Sequence, residues 1–473
     1  MTIREFIDEK THERYRDITE MPHEEGGFGR LYKAFDTQDD KKEVCIKVIK
    51  PNLSKELQMK LWHEEVKALK SYRYRSGIVH LVGEQYEFTR EEPYWFLVME
   101  YVHGKRLGSS KYRIELDVEE DRAIRLIFQL CSVIYSIHQH GHYHQDIFPD
   151  NIKIQGEKLI LLDLGGMREA ERRSGTIIFG GEMYSPPEVS PTRLRMKRFR
   201  TLRKEKMGSF ESADIFSIGA IFYELLMGST FFENIEQSEQ LKEYVYDYHT
   251  DPATQKTPKK EYQLAYHIAK RNQQKLYVFL QQYHLPLELC QRFVSTLEVL
   301  HPQQRPSIEY LLQFLLPYML QRMTEAYQRH DWQESLLWGQ YVREHFDEIQ
   351  DEVDHEMLNT NETFPEKVMQ HLLSSLSLSI RARLINGICL FQQGQYDMAQ
   401  QTFLKTKEVL ERYEEVWGGQ QWNTLFLKVV NNLAACYYKR RQNDEALHLY
   451  KSLSTAQGYL GQIINHNSQV CTV

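Results

Sequence analysis

The chain has 473 residues, more than one ordinary domain needs, and we expect two or three domains. Hydrophobic residues make up 41% of it and charged residues 26%, which excludes a disordered or fibrous chain. The formal net charge of −7 excludes a general electrostatic attraction to nucleic acid or to anionic membranes.

The six cysteines are scattered along the chain without close pairs. This distribution is typical of a reducing compartment and argues against a disulfide framework or a zinc site. The N-terminal segment is too charged for a signal peptide, and no apolar run reaches the roughly 18–20 residues of a membrane-spanning helix. We therefore expect a cytoplasmic protein that does not bind membranes.

A glycine-rich turn is the first segment with recognisable chemistry. Residues 26–29 read Gly-Gly-Phe-Gly and precede two β-rich runs that flank Asp39, which is the pattern of a β-hairpin. Glycine has no Cβ, so backbone N–H groups in such a turn can approach phosphate oxygens closely. The turn therefore predicts part of a phosphate-binding site.

The second β-rich run contains Lys47 between apolar neighbours. An ammonium group without a partner is costly in such a strand, so we expect a carboxylate nearby. The helical segment at residues 63–69 offers two candidates, Glu65 and Glu64. We favour Glu65, although spacing alone leaves both open.

The most informative segment is residues 144–151, which read His-Gln-Asp-Ile-Phe-Pro-Asp-Asn. Asp146 and Asn151 stand five residues apart, and Asp163 follows in front of Leu-Gly. In phosphoryl transfer, an aspartate at the first position orients a hydroxyl nucleophile, while the asparagine and second aspartate hold metal ions that bridge the ATP phosphates. The spacing predicts a phosphotransferase that uses ATP with Mg²⁺ or Mn²⁺.

In their order along residues 13–316, these motifs resemble those of the eukaryotic-type (Hanks-type) serine/threonine protein kinases. The resemblance implies that Lys47, held by Glu65, grips the α- and β-phosphates, and that adenine bonds to the backbone near Glu100 and Val102. It assigns the glycine-rich loop to Gly26, Gly27, Phe28 and Gly29.

The same resemblance makes Asp146 the catalytic base and makes Asn151 and Asp163 the metal ligands. Residues 186–188 (Pro-Pro-Glu) resemble the end of the activation segment, and Arg305 resembles the arginine that pairs with Glu188. It implies an α+β bilobal kinase fold, with a β-rich N-lobe at about 13–100 and a helical C-lobe at about 101–316.

Four positions depart from the family pattern: Glu24 replaces a loop glycine, Gln145 an arginine, Phe148 a lysine, and Gly181 a threonine. The missing lysine normally stabilises the transferring phosphate, so its loss at Phe148 costs on the order of 10²–10³ in rate. A serine/threonine kinase acting on protein substrates remains the leading hypothesis. The alternatives are a pseudokinase scaffold and a kinase with a small-molecule or nucleic-acid acceptor.

A basic insertion at residues 192–207 has eight lysines and arginines between positions 193 and 206. It predicts docking of an acidic or phosphorylated ligand, and the alternative is a solvated loop or helix face. Stacking aromatic residues do not recur at useful intervals in it, which argues against nucleic acid as the partner.

Residues 317–473 have apolar residues at helical spacing and predict an all-α domain. The segments around Tyr396 and Asn443 resemble tetratricopeptide repeats (TPR), with Ala399 and Ala446 where helices cross closely. The two segments are 47 residues apart, whereas the usual repeat is about 34, so the array is irregular. We expect a TPR-like solenoid that binds a partner protein or peptide. The alternative is that these helices only brace the kinase C-lobe.

Overall fold

The computed structural model describes residues 1–22, 29–83, 85–109, 113–114, 119–169, 183–188, 209–359, 366–417, 419–453, 462 and 467–469. The chain divides into two compact units, Met1–Leu311 and Leu312–Val473. The division falls inside a helix, Ile308–Gln328, close to the predicted boundary at residue 316.

The first unit begins with an antiparallel sheet of strand order β1-β2-β3-β4. Its strands are β1 (Tyr15–Glu20), β2 (Gly29–Asp36), β3 (Lys42–Ile49) and β4 (Phe96–Glu100). The predicted hairpin is confirmed, because β2 and β3 pair in register from Gly29↔Ile49 to Asp36↔Lys42. This hairpin places Lys47 in the middle of the sheet.

A short helix, α1 (Ile3–Lys10), precedes the sheet and was not predicted from the sequence. Thr2 and Glu5 form a capping box at its start, which satisfies backbone N–H groups that the first turn leaves open. Phe6 and Ile7 are buried in the same core as the strands. The N-terminal core therefore starts before residue 13, the predicted start of the kinase domain.

Helix α2 (Lys55–Ser71) begins at Ser54, whose hydroxyl accepts a hydrogen bond from the Leu57 N–H. The indole N–H of Trp62 donates to the carbonyl of Phe96 on β4 at 2.7 Å, which fixes the rotation of the helix against the sheet. Glu65 lies on the buried face of α2. The helix thereby directs this carboxylate inward.

The rest of the first unit is mainly helical. Short strands are β5 (Lys105–Arg106), β6 (Gly108–Ser109), β7 (Arg113–Ile114), β8 (His142–Tyr143), β9 (Ile152–Gln155), β10 (Lys158–Leu161) and β11 (Arg168–Glu169). Helices are α3 (Glu120–Gln139), α4 (Phe210–Met227), α5 (Ile235–Thr250), α6 (Pro252–Lys256), α7 (Lys260–Gln282) and α8 (Leu287–Thr296). Helices α3 and α4 are buried along most of their length, and residues 144–145 are bonded to α4.

The second unit is helical throughout its described residues. Its helices are α9 (Ile308–Gln328), α10 (Trp332–Asn359), α11 (Glu366–Gln392), α12 (Tyr396–Arg412), α13 (Glu414–Trp417), α14 (Gln420–Lys439) and α15 (Asn443–Ser452). Short turns of three residues join α9 to α10, α11 to α12, and α14 to α15. These connections produce three helical hairpins.

Small residues allow the helices of this unit to cross closely. Ala399 and Ala446 are fully buried, and Gly387 on α11 lies directly against the ring of Phe403 on α12. The described residues include no helix that is both long and apolar enough to cross a membrane.

We predict that Gly387→Ala destabilises the second unit. The new methyl group would meet the Phe403 ring closer than real Cβ contacts occur. Overpacking costs about 1–3 kcal/mol, more than the ~1 kcal/mol that alanine gains in helix propensity. Calorimetry of the full chain should show one unfolding transition lowered by a few degrees. Ser374→Ala, at an exposed position of the same helix, is the matched control, and equal stability of the two variants would contradict the prediction.

Candidate active site

A buried ammonium group lies at the centre of the site. The Lys47 Nζ is 2.6 Å from Oε1 of Glu65 and 2.9 Å from Oδ2 of Asp163. Glu64, which the sequence left open as the partner, instead approaches Lys60 at 4.0 Å. The two contacts of Lys47 join β3, α2 and the segment after β10. Lys47 and Asp163, which are 116 positions apart in the chain, therefore share one ion cluster.

The protonation of these groups follows from burial and from their mutual charges. Burial alone opposes the charged form of Lys47, but Asp163 and Glu65 together raise its pKa. Burial also opposes ionisation of Asp163, yet the Lys47 ammonium and the Gly165 N–H hold its pKa below the usual range. Burial raises the pKa of Glu65 to about 7 in spite of Lys47. Lys47 and Asp163 are thus the most firmly charged pair.

Asn151 orients Asp146. Its side-chain amide Nδ2 donates to the backbone carbonyl of Asp146 at 3.0 Å and to its carboxylate Oδ2 at 3.2 Å. This arrangement leaves Oδ1 of each side chain for other partners. Burial and the negative charge of Asp163 raise the pKa of Asp146 to about 7, although Asn151 and Lys47 act in the opposite direction.

Asp214, near the start of α4, holds the backbone in front of Asp146. Its carboxylate accepts the backbone N–H groups of His144 and Gln145, each at 2.8 Å. Gln145 has φ +63°, a left-handed conformation that is uncommon outside glycine. The Gln145 side chain also donates to the Phe210 carbonyl at 2.9 Å. These bonds fix the catalytic segment on α4.

The predicted ion pair of Arg305 with Glu188 is confirmed. The guanidinium reaches both carboxylate oxygens, with Nη2 at 2.9 Å from Oε2. It also donates to the carbonyls of Glu298 and Ser212 at 2.8 and 2.9 Å. Both side chains are buried, and a bidentate pair of this kind fixes the end of the segment at residues 183–188.

A cleft runs beside the ion cluster. Residues 99–102 form one end of it, and Lys47 with Asp163 the other. The apolar side chains of its lining include Leu31, Cys45 and Leu162. Glu100 and Val102, the predicted contacts for adenine, therefore lie at the first of these ends, and the predicted metal ligands Asn151 and Asp163 line the polar part beside Lys47.

Only part of the predicted glycine-rich loop lies within the described residues. Gly29 lies against the Lys47 stem, because a Cβ there would be 3.0 Å from the lysine Cγ. Gly26, Gly27 and Phe28 lie outside the described residues, as do Glu24, Gly181 and the basic insertion 192–207. Docking of an acidic or phosphorylated ligand at that insertion stays a prediction.

Comparison with known proteins identifies the family. Residues 24–316, more than half of the chain, match the family described as protein kinase domain. The chain belongs to the protein kinase family. The first unit accordingly has the bilobal kinase fold, with a β-sheet N-lobe and a helical C-lobe.

Several serine/threonine kinases are similar to this family member. A Dictyostelium discoideum protein named probable serine/threonine-protein kinase is 30% identical over 235 residues, which cover 48% of this chain and 41% of that protein. Human mitogen-activated protein kinase 12 is 29% identical over 246 residues, covering 50% and 60%. Serine/threonine-protein kinase D of Synechocystis sp. is 29% identical over 210 residues, covering 42% and 38%. The chain spans less than two thirds of the length of each.

Two basic residues of the kinase cleft were missed by the sequence reasoning. Lys153 on β9 and Arg106 on β5 both line it, and the Lys153 Nζ donates to the Val102 carbonyl at 3.2 Å. Lysine and arginine in short strands ordinarily indicate exposed positions, so their types gave no sign of this location. The only available signal in the sequence was the alternation of apolar and basic residues along the strand, since Ile152 and Ile154 flank Lys153.

We predict that Glu65→Gln weakens the binding of Mg-ATP about tenfold or more, whereas Glu64→Gln changes it less than twofold. The first change removes a charged partner from the buried Lys47, and hydrogen bonds to charged groups contribute about 1.5–3 kcal/mol. The second change alters the neighbouring glutamate of the same helix. Isothermal titration of both variants checks the prediction, and equal effects would show that the inward orientation of Glu65 is irrelevant to nucleotide binding.

Proposed function

We propose that this protein kinase transfers the γ-phosphate of ATP to a serine or threonine hydroxyl of a protein substrate. The observation that carries the proposal is the convergence of Lys47, Asp146, Asn151 and Asp163 beside a cleft whose other end is formed by residues 99–102. A site that had lost catalysis would not need all four groups. Similarity to serine/threonine kinases supports the same class of acceptor.

Each residue has a role that its contacts support. Asn151 engages one carboxylate oxygen of Asp146, so the other oxygen, Oδ1, accepts the proton of the incoming hydroxyl and orients it. Lys47, positioned by Glu65, donates to the α- and β-phosphates. Glu100 and Val102 offer backbone groups to the adenine edge.

The polar part of the cleft fits Mg²⁺ or Mn²⁺. Asp163 supplies a carboxylate, and Asn151 keeps its Oδ1 carbonyl because its amide nitrogen is turned to Asp146. Oxygen donors of this kind suit hard divalent cations. When bound, the metal neutralises charge on the β- and γ-phosphates.

Phe148 favours a second candidate function, in which the acceptor is not a protein. Its half-buried ring stands two residues after Asp146, where the family has the lysine that stabilises the transferring phosphate. A small-molecule acceptor with its own cationic group would replace that charge. The pseudokinase alternative requires that the chain does not turn over ATP, whether or not it binds nucleotide.

The test is transfer of labelled γ-phosphate from Mg-ATP by the full chain, alone and with generic protein acceptors, beside Asp146→Asn. Loss of the base should lower transfer about 10²–10⁴-fold while Mg-ATP still binds. Label on protein that disappears in the variant supports the proposal. Hydrolysis of ATP without labelled protein, also lost in the variant, supports a non-protein acceptor. Binding without any turnover, or turnover unchanged by the substitution, contradicts catalysis by Asp146.

We also propose that the second unit is a TPR-like stack that recruits a partner protein or peptide. A groove in it is lined by α9, α11 and α14, the first helix of each hairpin. Arg381 and Lys428 line this groove, and each precedes the start of the next helix, Tyr396 or Asn443, by 15 residues. They therefore occupy equivalent positions in successive hairpins.

The chemistry of the groove supports an acidic partner. Leu320, Leu384 and Leu425 give it an apolar floor, and Arg381 and Lys428 are exposed cations. Neither cation forms an ion pair within the described part of the chain. An acidic peptide with apolar side chains matches both features.

We predict that peptides selected from a random library on the full chain carry net negative charge. Arg381→Glu with Lys428→Glu should reduce their binding at least tenfold, because attraction becomes repulsion. Lys405→Glu, an exposed charge reversal on α12, is the control and should leave binding unchanged. Selected peptides without excess acidic residues, or binding insensitive to the double reversal, would contradict an acidic partner in this groove.

A further inference from the structure

Helix α1 precedes residues 24–316, the part of the chain that matches the kinase family, yet it packs on the kinase sheet. Phe6 is 6% exposed, and its ring centre lies 6.3 Å from that of Phe96 on β4 in an edge-to-face arrangement. The ring centre of Tyr94, just before this strand, lies 5.6 Å away in the same arrangement. Such pairs are favourable beyond the apolar area that they bury. Phe6 therefore anchors α1 beside the start of β4.

One ring joins α1 to α2. It belongs to Phe88, in the bridging segment (residues 85–95) that leads into β4. The ring centre of Phe88 lies 6.4 Å from that of Phe6 and 5.4 Å from that of Trp62 on α2. Phe88 also stacks on Trp95 at 5.6 Å, and Trp95 lies 5.9 Å from Trp62. Aromatic side chains thus form a continuous chain of contacts from α1 to α2.

Charged groups make a second connection through the bridging segment. The Nζ of Lys10, at the end of α1, is 2.6 Å from Oε1 of Glu92. The Nζ of Lys55, at the start of α2, donates to the backbone carbonyls of Glu92 and Pro93 at 2.6 and 3.0 Å. Both helices therefore bind Glu92, one through its side chain and the other through its backbone.

The face of α2 that receives these contacts also carries an active-site group. Trp62 and Glu65 are both buried and stand three residues apart on the helix, a spacing that makes them neighbours on its surface. The Glu65 carboxylate is 2.6 Å from the Lys47 Nζ. A rotation of α2 that displaces the Trp62 indole would therefore move this carboxylate away from Lys47.

Resting on the kinase function proposed above, we propose that α1 is a positioning element of the active site. Phe6 supports Phe88, which supports Trp62 and so keeps Glu65 directed towards Lys47. The rings act through the helix and not on the nucleotide. The affinity of the kinase for Mg-ATP therefore depends on a helix that lies before the family-matched residues.

The experiment is a double-mutant cycle between Phe6→Ala and Glu65→Gln in the full chain, with the affinity for Mg-ATP measured by isothermal titration. Phe6→Ala should weaken binding about three- to tenfold, in the range of coupling carried by packed side chains. In the Glu65→Gln background it should weaken binding less than about twofold, because the carboxylate that α1 positions is already lost. A merely structural role of Phe6 predicts an equal weakening in both backgrounds.

Phe88→Ala and Tyr86→Ala form a second, matched pair. Both residues are half-buried aromatics of the bridging segment that pack on the same core. The Phe88 ring lies between α1 and α2, whereas the Tyr86 ring contacts that of Phe96 on β4 at 5.5 Å. Phe88→Ala should reproduce the loss of affinity and its dependence on Glu65, while Tyr86→Ala should change the affinity less than about twofold. Because Phe88 is only partly buried, this pair also tests the proposal where Phe6→Ala does not fold.

The inference is overturned if Phe6→Ala and Phe88→Ala leave the affinity for Mg-ATP unchanged, or weaken it equally in both backgrounds. It is also overturned if Tyr86→Ala weakens binding as much as Phe88→Ala, since general loosening of the sheet would then explain both. In these cases the unaltered chain still binds Mg-ATP and transfers phosphate, so the kinase function stands. Failure of the unaltered chain to bind Mg-ATP would overturn the kinase function as well.

Discussion

The site depends on one buried ammonium shared by two carboxylates. Lys47 on β3, Glu65 on α2 and Asp163 after β10 meet only when the sheet, the helix and the catalytic segments are assembled. Removing either partner from a buried ion cluster is costly, because the remaining charge loses its compensation. The position of α2 against the sheet is therefore coupled to the charge state of the cleft, and the Trp62 bond to β4 holds it there.

A second constraint fixes the catalytic base relative to this cluster. Asp214 binds the backbone on the N-terminal side of Asp146, and Asn151 binds Asp146 itself from the other side. At Gln145, where the family pattern has an arginine, the neutral side-chain amide donates a hydrogen bond to the Phe210 carbonyl on α4. In the described part of the chain, residues 144–146 are thus held against α4 by hydrogen bonds.

The sequence was enough to predict the family and to select candidate site residues, because each motif places a chemically specific group at a fixed spacing. It did not separate Glu65 from Glu64, since only the rotation of α2 directs one of them inward. It missed α1, whose two buried residues are too few for a clear helical pattern. Arg106 and Lys153 were missed because their location follows from strand register, which pairs residues 47 positions apart. Helices of the second unit and a partner protein or peptide were predicted from the sequence. The acidic chemistry proposed for that partner was not, since the groove is formed by several helices together.

The most direct test of the central claim is the effect of Mg²⁺ on ATP binding in the unaltered chain and in Asp163→Asn. If Asp163 holds the metal while Lys47 holds the phosphates, Mg²⁺ should strengthen ATP binding in the unaltered chain. In Asp163→Asn, metal-free ATP should still bind, and added Mg²⁺ should change its affinity little. Equal dependence on Mg²⁺ in both proteins would contradict the arrangement, because the metal would then be held without Asp163.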